Sequence, residues 1–376
     1  MPCHPGEGCG AAAVCGACHA VTVRILVAGA TGYVGSRLVP ELLRRGHQVV
    51  AASSRPPRPE RFGWGTEAES VQMDAADPAQ VVAATKGIDA VCYLVHGLST
   101  RSFRSRDREA ARTMRNAVSM NGVDRVVYLS GLVPDVPRDQ LSPHIGSRLE
   151  VEQVLLDSPA ATLSMRAGVV IGAGSTPFEM IRQTSSTLLV QPVPVWMHSR
   201  VQPIAIADVV RVLADALESD ATGTVDIGGP DVVTYPELLE LYATVAKIPR
   251  VQVPVFGAPT AAVALGAGLV SAAPYWTAAA LVHSLRHDMV CRPGQPDPAK
   301  VDLTDALPLG EAMRQAVLAD GHRGRVSGRQ SSDPAWVRSS WVERSITATR
   351  LPGATLLSSA LHVAEHRVRG LLSLRP

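Results

Sequence analysis

Between residues 24 and 39 the sequence passes from an apolar run, through three glycines spaced three apart, into an amphipathic segment. The run Arg24 to Ala28 has the composition of a short buried strand, because its apolar residues are almost uninterrupted. Gly29, Gly32 and Gly35 follow, and the chain then continues with the pattern of a helix. A strand that turns through glycines into a helix can bind a phosphate, because its backbone is accessible and the first helical N–H groups point outward.

A second strand, Gln48 to Ser53, follows this helix after a short turn and completes a βαβ unit. The glycine spacing is G-x-x-G-x-x-G, which differs from the G-x-G-x-x-G of the common dinucleotide fingerprint. We predict an α/β fold with a doubly wound, Rossmann-like parallel sheet and a smaller C-terminal substrate lobe. The residues predicted to hold a pyrophosphate are Gly29, Thr31, Gly32, Tyr33 and Gly35.

The end of the second strand determines which nicotinamide dinucleotide such a fold prefers. An acidic residue there holds the ribose 2′-hydroxyl of NAD, whereas an arginine accommodates the 2′-phosphate of NADP. The chain reads Ser53-Ser-Arg55 at this point, with Arg58 close behind and no acid. We therefore predict NADP(H) as the preferred cofactor, NAD(H) as the alternative, and Ser53 and Arg55 as contacts. The interpretation without a ligand is a solvated basic loop.

Asp74 ends the third predicted strand, Val71 to Asp74, and His96 follows the fourth, Ala90 to Leu94. The carboxyl ends of parallel strands meet at the sheet edge where cofactors lie, so both residues are predicted cofactor contacts. Asp74 could instead cap the next helix, although Asp77 before a proline suits that role better. His96 could instead simply end its strand.

Three stretches resemble the extended or atypical short-chain dehydrogenase/reductase superfamily: Gly29-Ala-Thr-Gly-Tyr-Val-Gly35, Asp74, and Tyr128-Leu-Ser-Gly131. Within the superfamily, the chain is most similar to the NmrA-like group and to proteins resembling the nucleotide-binding accessory subunit of respiratory complex I. The resemblance covers roughly residues 23 to 290. It implies an NAD(P)-binding oxidoreductase, but the glycine motif specifies no particular reaction.

The resemblance also implies a catalytic set, from which this chain departs. Active members use a serine after the fifth strand and a Tyr-x-x-x-Lys on the next helix, where the tyrosine transfers a proton as hydride moves. Ser130 matches the serine, but His144 stands at the tyrosine position and Arg148 at the lysine position. No Tyr or Lys occurs between Gly131 and Asp220.

A histidine can transfer protons near neutral pH, and a neighbouring arginine would lower its pKa. We therefore predict Ser130, His144 and Arg148 as the modified catalytic set of an NADP-dependent oxidoreductase acting on a carbonyl or quinone-like small molecule. Met180, Trp196 and Met197 are candidates to line its pocket, with core packing as the alternative. One alternative function is a redox sensor or assembly factor that binds the nucleotide without turnover and reports to a protein partner. Another is a sugar-nucleotide epimerase, which the missing tyrosine disfavours.

Composition limits the other classes of function. The formal net charge is +2, so nothing indicates a nucleic-acid partner. Four of the six cysteines lie in the first eighteen residues, which is unlike a secreted disulfide framework, and no signal peptide is recognisable. We therefore predict a cytoplasmic protein. Cys15-Gly-Ala-Cys18-His19 matches a haem attachment motif and could also hold zinc, but the prediction is no metal site.

The predicted organisation is a disordered extension over 1–22 and an NAD(P)-binding domain with its lobe over 23–320. The lobe is built mainly from 172–205 and 228–320, and 321–376 is a tail for which disorder is one interpretation. Residues 251–282 contain no charged side chain and are long enough to span a bilayer. Their prolines, glycines and alanines favour two buried or cleft-facing helices, with membrane association as the alternative.

Overall fold

The computed structural model describes residues 22–56, 58–97, 103–271, 273–292, 294, 297–319, 330 and 333. The strands are β1 (Arg24–Ala28), β2 (Gln48–Ser53), β3 (Glu69–Gln72), β4 (Ala90–Tyr93), β5 (Arg125–Gly131), β6 (Ala161–Ala167), β7 (Val170–Ile171), β8 (Val190–Pro194), β9 (Arg200–Val201), β10 (Ile204–Ala205), β11 (Gly223–Ile227), β12 (Val233–Thr234) and β13 (Val251–Val255). The helices are α1 (Gly35–Arg44), α2 (Pro78–Ala84), α3 (Phe103–Asn121), α4 (Pro143–Leu156), α5 (Thr176–Thr187), α6 (Ile206–Leu217), α7 (Tyr235–Ala246), α8 (Thr260–Val270), α9 (Tyr275–Ser284) and α10 (Leu309–Leu318).

Seven strands form one parallel sheet in the order β3-β2-β1-β4-β5-β6-β11. This order confirms the predicted doubly wound, Rossmann-like fold. The direction of winding reverses beside β1, which lies between β2 and β4. Ligands of such sheets bind at the reversal point, outside the carboxyl ends of the strands.

Helices cover both faces of the sheet, which explains the continuous apolar run of β1. Ile25 and Val27 pack with α1 and α6 on one face, whereas Leu26 and Ala28 pack with α2, α3 and α4 on the other. All four side chains are fully buried. A central parallel strand therefore has no polar face, unlike a strand at a solvated sheet surface.

The rest of the chain adds short paired strands and helices beyond the carboxyl edge. β7 pairs with β10 and β8 with β13, both parallel, while β9 and β12 pair antiparallel. The helices α5, α7 and α10 share a second core with these strands. Among the described residues, no helix is both long and apolar enough to cross a membrane.

Residues 251–282 form the two predicted helices, α8 and α9, but begin with a strand that the sequence analysis missed. The sequence of β13 is Val-Gln-Val-Pro-Val, which includes a proline. A proline is tolerated in a strand at a sheet edge, and β13 pairs only with β8.

Both chain ends fall largely outside the described residues. The predicted extension, including Cys15 and Cys18, is described only at residue 22. The predicted tail is described only at Gln330 and Asp333.

Candidate functional site

The glycine loop between β1 and α1 has a different requirement at each glycine. Gly29 adopts φ +93°, a conformation that favours glycine. A Cβ on Gly35 would lie 2.3 Å from the Gly29 carbonyl oxygen, so no side chain fits there. Gly32 is exposed, and a Cβ there would meet only the Gly29 oxygen, at 3.2 Å. Gly29 and Gly35 therefore shape the turn, while Gly32 keeps its outer surface open to a ligand.

The turn also determines where α1 begins. The Gly32 N–H donates to the Gly29 oxygen at 3.0 Å, and the helix starts at Gly35. The first N–H groups of the helix thus follow the open loop directly. This is the cradle that a pyrophosphate requires, so the residues present fit a dinucleotide cofactor.

The loop forms one end of a cavity of about 860 Å³ that continues into the lobe. The cavity brings together most of the residues predicted from the sequence, although they come from four separate elements and loops. Those lining it are Gly29, Gly32, Tyr33, Gly35, His96, Ser130, His144 and Arg148.

The remaining predicted contacts, Thr31, Ser53, Arg55 and Asp74, do not line this cavity. Ser53 and Asp74 stand at the carboxyl ends of β2 and β3, on the same sheet edge as the glycine loop. The Ser53 hydroxyl donates to the Arg55 carbonyl oxygen at 2.8 Å, and this hydrogen bond stabilises the turn that carries the exposed Arg55 side chain. Their role in binding the adenosine half stays a prediction.

Asp74 does not cap α2. Its carboxylate accepts the Ala76 N–H at 3.0 Å, whereas Asp77 accepts two N–H groups of the first turn of α2. The sequence-based preference for Asp77 as the cap is therefore confirmed.

The helix α4 presents His144 and Arg148 to the cavity, four residues apart on one face. The helix begins after Ser142, whose hydroxyl accepts the Ile145 N–H at 3.3 Å. Pro143 occupies the first helical position, where no backbone N–H is needed. This local start fixes His144 in the first turn, facing the end of β5.

His144 is buried and has a perturbed titration. Burial, the Arg148 cation and His96 together lower its pKa well below the ordinary value. His144 is therefore neutral at physiological pH, and a neutral imidazole keeps one N–H donor and one acceptor. His96, predicted as a separate cofactor contact, thus lies close enough to His144 to lower its pKa, which no local sequence pattern indicates.

Arg148 is held against the sheet rather than extended into the cavity. Its Nη1 donates to the Leu129 carbonyl at 3.1 Å, and its Cδ lies 3.7 Å from the position of a Cβ on Gly131. The guanidinium thus places a fixed positive charge beside the carboxyl end of β5. Such a charge favours a developing negative charge in the cavity.

The Ser130 hydroxyl is buried beside the same charge. Burial raises the pKa of Tyr128, two residues earlier on β5, while its interactions with Arg148 and Ser130 oppose that rise. Nevertheless, the Ser130 oxygen has no hydrogen bond of good geometry with any described residue. Buried hydroxyls are normally paired, so an unpaired one at a cavity wall is available to a ligand.

Tyr33 is positioned by residues that the sequence analysis did not single out. The Arg37 guanidinium stacks on its ring at 4.0 Å and donates to its carbonyl oxygen at 2.8 Å. A Cβ on Gly172 would lie 2.3 Å from the Tyr33 hydroxyl oxygen, so only glycine leaves room for the ring. No local motif signals the contact with Gly172, because Gly172 and Tyr33 are far apart in the chain.

The lobe end of the cavity, which includes Thr184, Gln191, Tyr235 and Ser284, is lined mainly by apolar side chains. Met180 and Met197 are among them, as the sequence analysis proposed, whereas Trp196 does not line the cavity and donates to the Ala258 carbonyl at 2.9 Å. Other lining residues are Leu188, Val190, Leu239, Val255, Val263, Leu281, Val282, Leu285 and Met289. This composition is typical of a site for an apolar small molecule.

Residues 29–160 match a family model described as NAD(P)H-binding. The chain is 27% identical over 240 residues to NADH dehydrogenase [ubiquinone] 1 alpha subcomplex subunit 9, mitochondrial, of Arabidopsis thaliana, covering 60% of this chain and 58% of that protein. It is 30% identical over 178 residues to the 2-alkyl-3-oxoalkanoate reductase of Stenotrophomonas maltophilia, covering 40% and 52% respectively. The chain thus spans little more than half the length of these two relatives.

Solved structures share the fold. The structure of gox2253 superposes with a TM-score of 0.60 at 20% identity, covering 79% of this chain and 97% of that one. MoeE5 in complex with UDP-glucose and NAD superposes with a TM-score of 0.51 at 24% identity, covering 62% and 85%. At these identities the likeness establishes the fold alone.

Proposed function

We propose that this chain, which carries an NAD(P)H-binding domain on a doubly wound, Rossmann-like sheet, is an NADP(H)-dependent reductase of apolar carbonyl or quinone-like compounds. One observation carries the proposal: the glycine loop and the Ser130, His144 and Arg148 set line a single cavity that continues into an apolar lobe. A relative named as a reductase agrees with this reaction class.

The cofactor would be held by this chain at three places. Gly32 and the first turn of α1 would hold the pyrophosphate, and Arg55 would contact the 2′-phosphate. Tyr33 and His96 would border the nicotinamide end of the cavity. When bound, the reduced nicotinamide supplies a hydride.

The three residues of the modified catalytic set would act on the carbonyl oxygen of the substrate. Ser130 and neutral His144 each provide a hydrogen-bond donor that strengthens as hydride adds to the carbonyl carbon and negative charge develops on that oxygen. The resulting alkoxide would take its proton through these donors, and solvent would replace that proton once the product leaves. The fixed Arg148 cation stabilises the same charge, and burial together with this cation keeps His144 neutral. The apolar lobe excludes water, which strengthens all three interactions.

A non-catalytic nucleotide sensor is the second candidate, and one observation favours it. Arg148 is fixed by a hydrogen bond to the Leu129 backbone carbonyl, and the residue four positions before it on α4 is His144, so no phenol stands where related enzymes carry their catalytic tyrosine. In this case Ser130, His144 and Arg148 would hold the nucleotide and a protein partner would read its occupancy.

Consumption of NADPH with a panel of aldehydes, ketones and quinones separates the two candidates. The reductase proposal expects turnover that falls about 10²- to 10⁴-fold in His144→Ala, the usual contribution of a positioned donor. NADPH affinity should barely change in this variant, and Arg148→Ala should likewise lower turnover, because it removes the cation beside the carbonyl oxygen. His144→Tyr should retain some activity, since a phenol is the donor that related active sites use. NADPH loss no faster than in buffer, for every substrate and variant, would favour the sensor.

A further inference from the structure

The outer surface of the lobe carries a cluster of exposed apolar side chains. The most prominent are Phe256, which is 82% exposed, Leu265 at 54% and Trp276 at 41%. They follow β13 or lie on α8 and α9. We call the whole cluster the outer face; it comprises Val190, Val251, Val253, Phe256, Leu265, Tyr275 and Trp276. Such a concentration on one segment marks a surface that contacts something other than water.

The same segment forms a wall of the cavity. Val255, Val263 and Val282 line the cavity from β13, α8 and α9, while their neighbours make up the outer face. Val190 belongs to both sets, since it lines the cavity and is 53% exposed. The outer face and the cavity are therefore contiguous at β8.

The segment that carries most of the outer face has cationic and no acidic side chains. No Asp or Glu occurs from residue 241 to residue 287, where Lys247 and Arg286 are exposed, and the Asp288 that follows is paired with Arg200. Arg250 is half-buried and donates to the Ser186 carbonyl, so it anchors β13 rather than facing solvent. An apolar surface with exposed aromatic rings and a cationic border is complementary to anionic lipid headgroups above an acyl layer.

We propose that the outer face binds the surface of an anionic lipid bilayer, and that the cavity beneath it receives the apolar chain of a lipid-borne carbonyl compound. The second statement rests on the proposed function, while the first stands without it. Phe256 and Leu265 enter the acyl boundary, Tyr275 and Trp276 lie at headgroup level, and Lys247 and Arg286 contact anionic groups.

Vesicle flotation tests the docking surface. The full chain should float with vesicles of phosphatidylcholine containing phosphatidylglycerol, and bind phosphatidylcholine alone more weakly. Phe256→Asp and Leu265→Asp should each weaken binding at least tenfold, because an apolar contact is replaced by a repelled charge. Lys247→Glu should weaken it by about fivefold or more. The matched controls are Met120→Asp and Leu318→Asp, at apolar positions 71% and 66% exposed but outside the outer face.

The controls decide between the outcomes. Equal losses in the control and test variants, or no flotation of the wild type, would overturn the docking proposal. Sedimentation without lipid tests the alternative that the outer face joins two copies of the chain. If the wild type does not float and Phe256→Asp converts a dimer into a monomer, that alternative replaces the docking proposal. Phe256→Asp should retain wild-type NADPH affinity and turnover of short aldehydes. Flotation without any turnover would refute the reductase proposal and leave the docking surface standing.

Discussion

Arg37 and Asp333 form a buried bidentate ion pair although 296 residues separate them in the chain. Both contacts measure 3.0 Å, and the two side chains are 0% and 1% exposed. A Cβ on Gly174, which has φ +94°, would lie 2.2 Å from an Asp333 carboxylate oxygen. Arg37 also stacks on the Tyr33 ring, so the ion pair connects Asp333 in the C-terminal region to the glycine loop.

Removing one partner of this pair should strongly destabilise the protein. Asp333→Ala leaves the Arg37 charge buried, which should lower the free energy of unfolding by about 3–5 kcal/mol. The control is Arg314→Ala, which removes the exposed pair with Glu311 and should cost no more than about 1 kcal/mol. Urea denaturation measures both. Equal values for the two variants would mean that the Asp333 contact contributes little in solution.

The glycine loop offers a test that separates binding from folding. Gly32→Val should leave the fold intact, because a Cβ there meets only one atom, but should block the approach of a pyrophosphate. Gly35→Val should instead destabilise the fold, since its Cβ would clash with the Gly29 backbone. Calorimetric titration with NADPH and thermal unfolding distinguish the two effects. Unchanged NADPH affinity in folded Gly32→Val would remove the basis for placing the cofactor here.

Local sequence patterns identified the parts of the site that depend on neighbouring residues. The glycine spacing located Gly29, Gly32 and Gly35, and the spacing of four placed His144 and Arg148 on one helical face. Residues after separate strands, such as His96 and Ser130, could be grouped because parallel strands end at one edge.

Contacts between distant segments could not be read in this way. The Arg37 and Asp333 pair, and the fit of Gly172 against Tyr33, depend on how far-separated loops pack together. The effect of His96 on His144 likewise arises only after β4 and α4 have come together. The sequence does not predict the parallel pairing of β13 with β8, because the proline within β13 argues against an ordinary strand.

Cofactor choice should depend on Arg55. Arg55→Glu replaces an attractive contact with the 2′-phosphate by a repulsion, so NADPH should weaken far more than NADH. Arg108→Glu on the exposed side of α3 makes the same change in net charge and should leave the ratio of the two dissociation constants unchanged. Measurement at low and high salt shows whether the effect is electrostatic. If the ratio of the two dissociation constants does not change in Arg55→Glu, Arg55 does not contact the 2′-phosphate, and Arg58 is the next candidate.

The apolar lobe predicts a dependence on substrate chain length. In the series from butanal to dodecanal, each added methylene buried in the cavity contributes up to about 0.8 kcal/mol. The value of kcat/KM should therefore rise by up to about fourfold per methylene until the cavity is filled. Leu281→Asn, in the cavity wall, should flatten this rise and leave the shortest aldehyde little affected. A flat wild-type series would place the substrate outside the lobe.

The state of His144 predicts how stability depends on pH. Burial, Arg148 and His96 hold its folded-state pKa well below the unfolded-state value of about 6.5. Below about pH 6.5 the unfolded chain therefore binds a proton that the folded chain does not, and the free energy of unfolding falls as pH decreases. One such group gives a slope of up to about 1.4 kcal/mol per pH unit.

Replacing the imidazole should remove that contribution. His144→Gln cannot titrate, so its free energy of unfolding should vary less steeply than the wild type's between about pH 5 and 6.5. The comparison uses slopes, because the substitution also changes stability at every pH. His283→Gln, at an exposed position at the end of α9, should keep the wild-type slope. A wild-type slope in His144→Gln would mean that the folded-state pKa of His144 is not depressed, so that burial, Arg148 and His96 do not keep the imidazole neutral across this pH range.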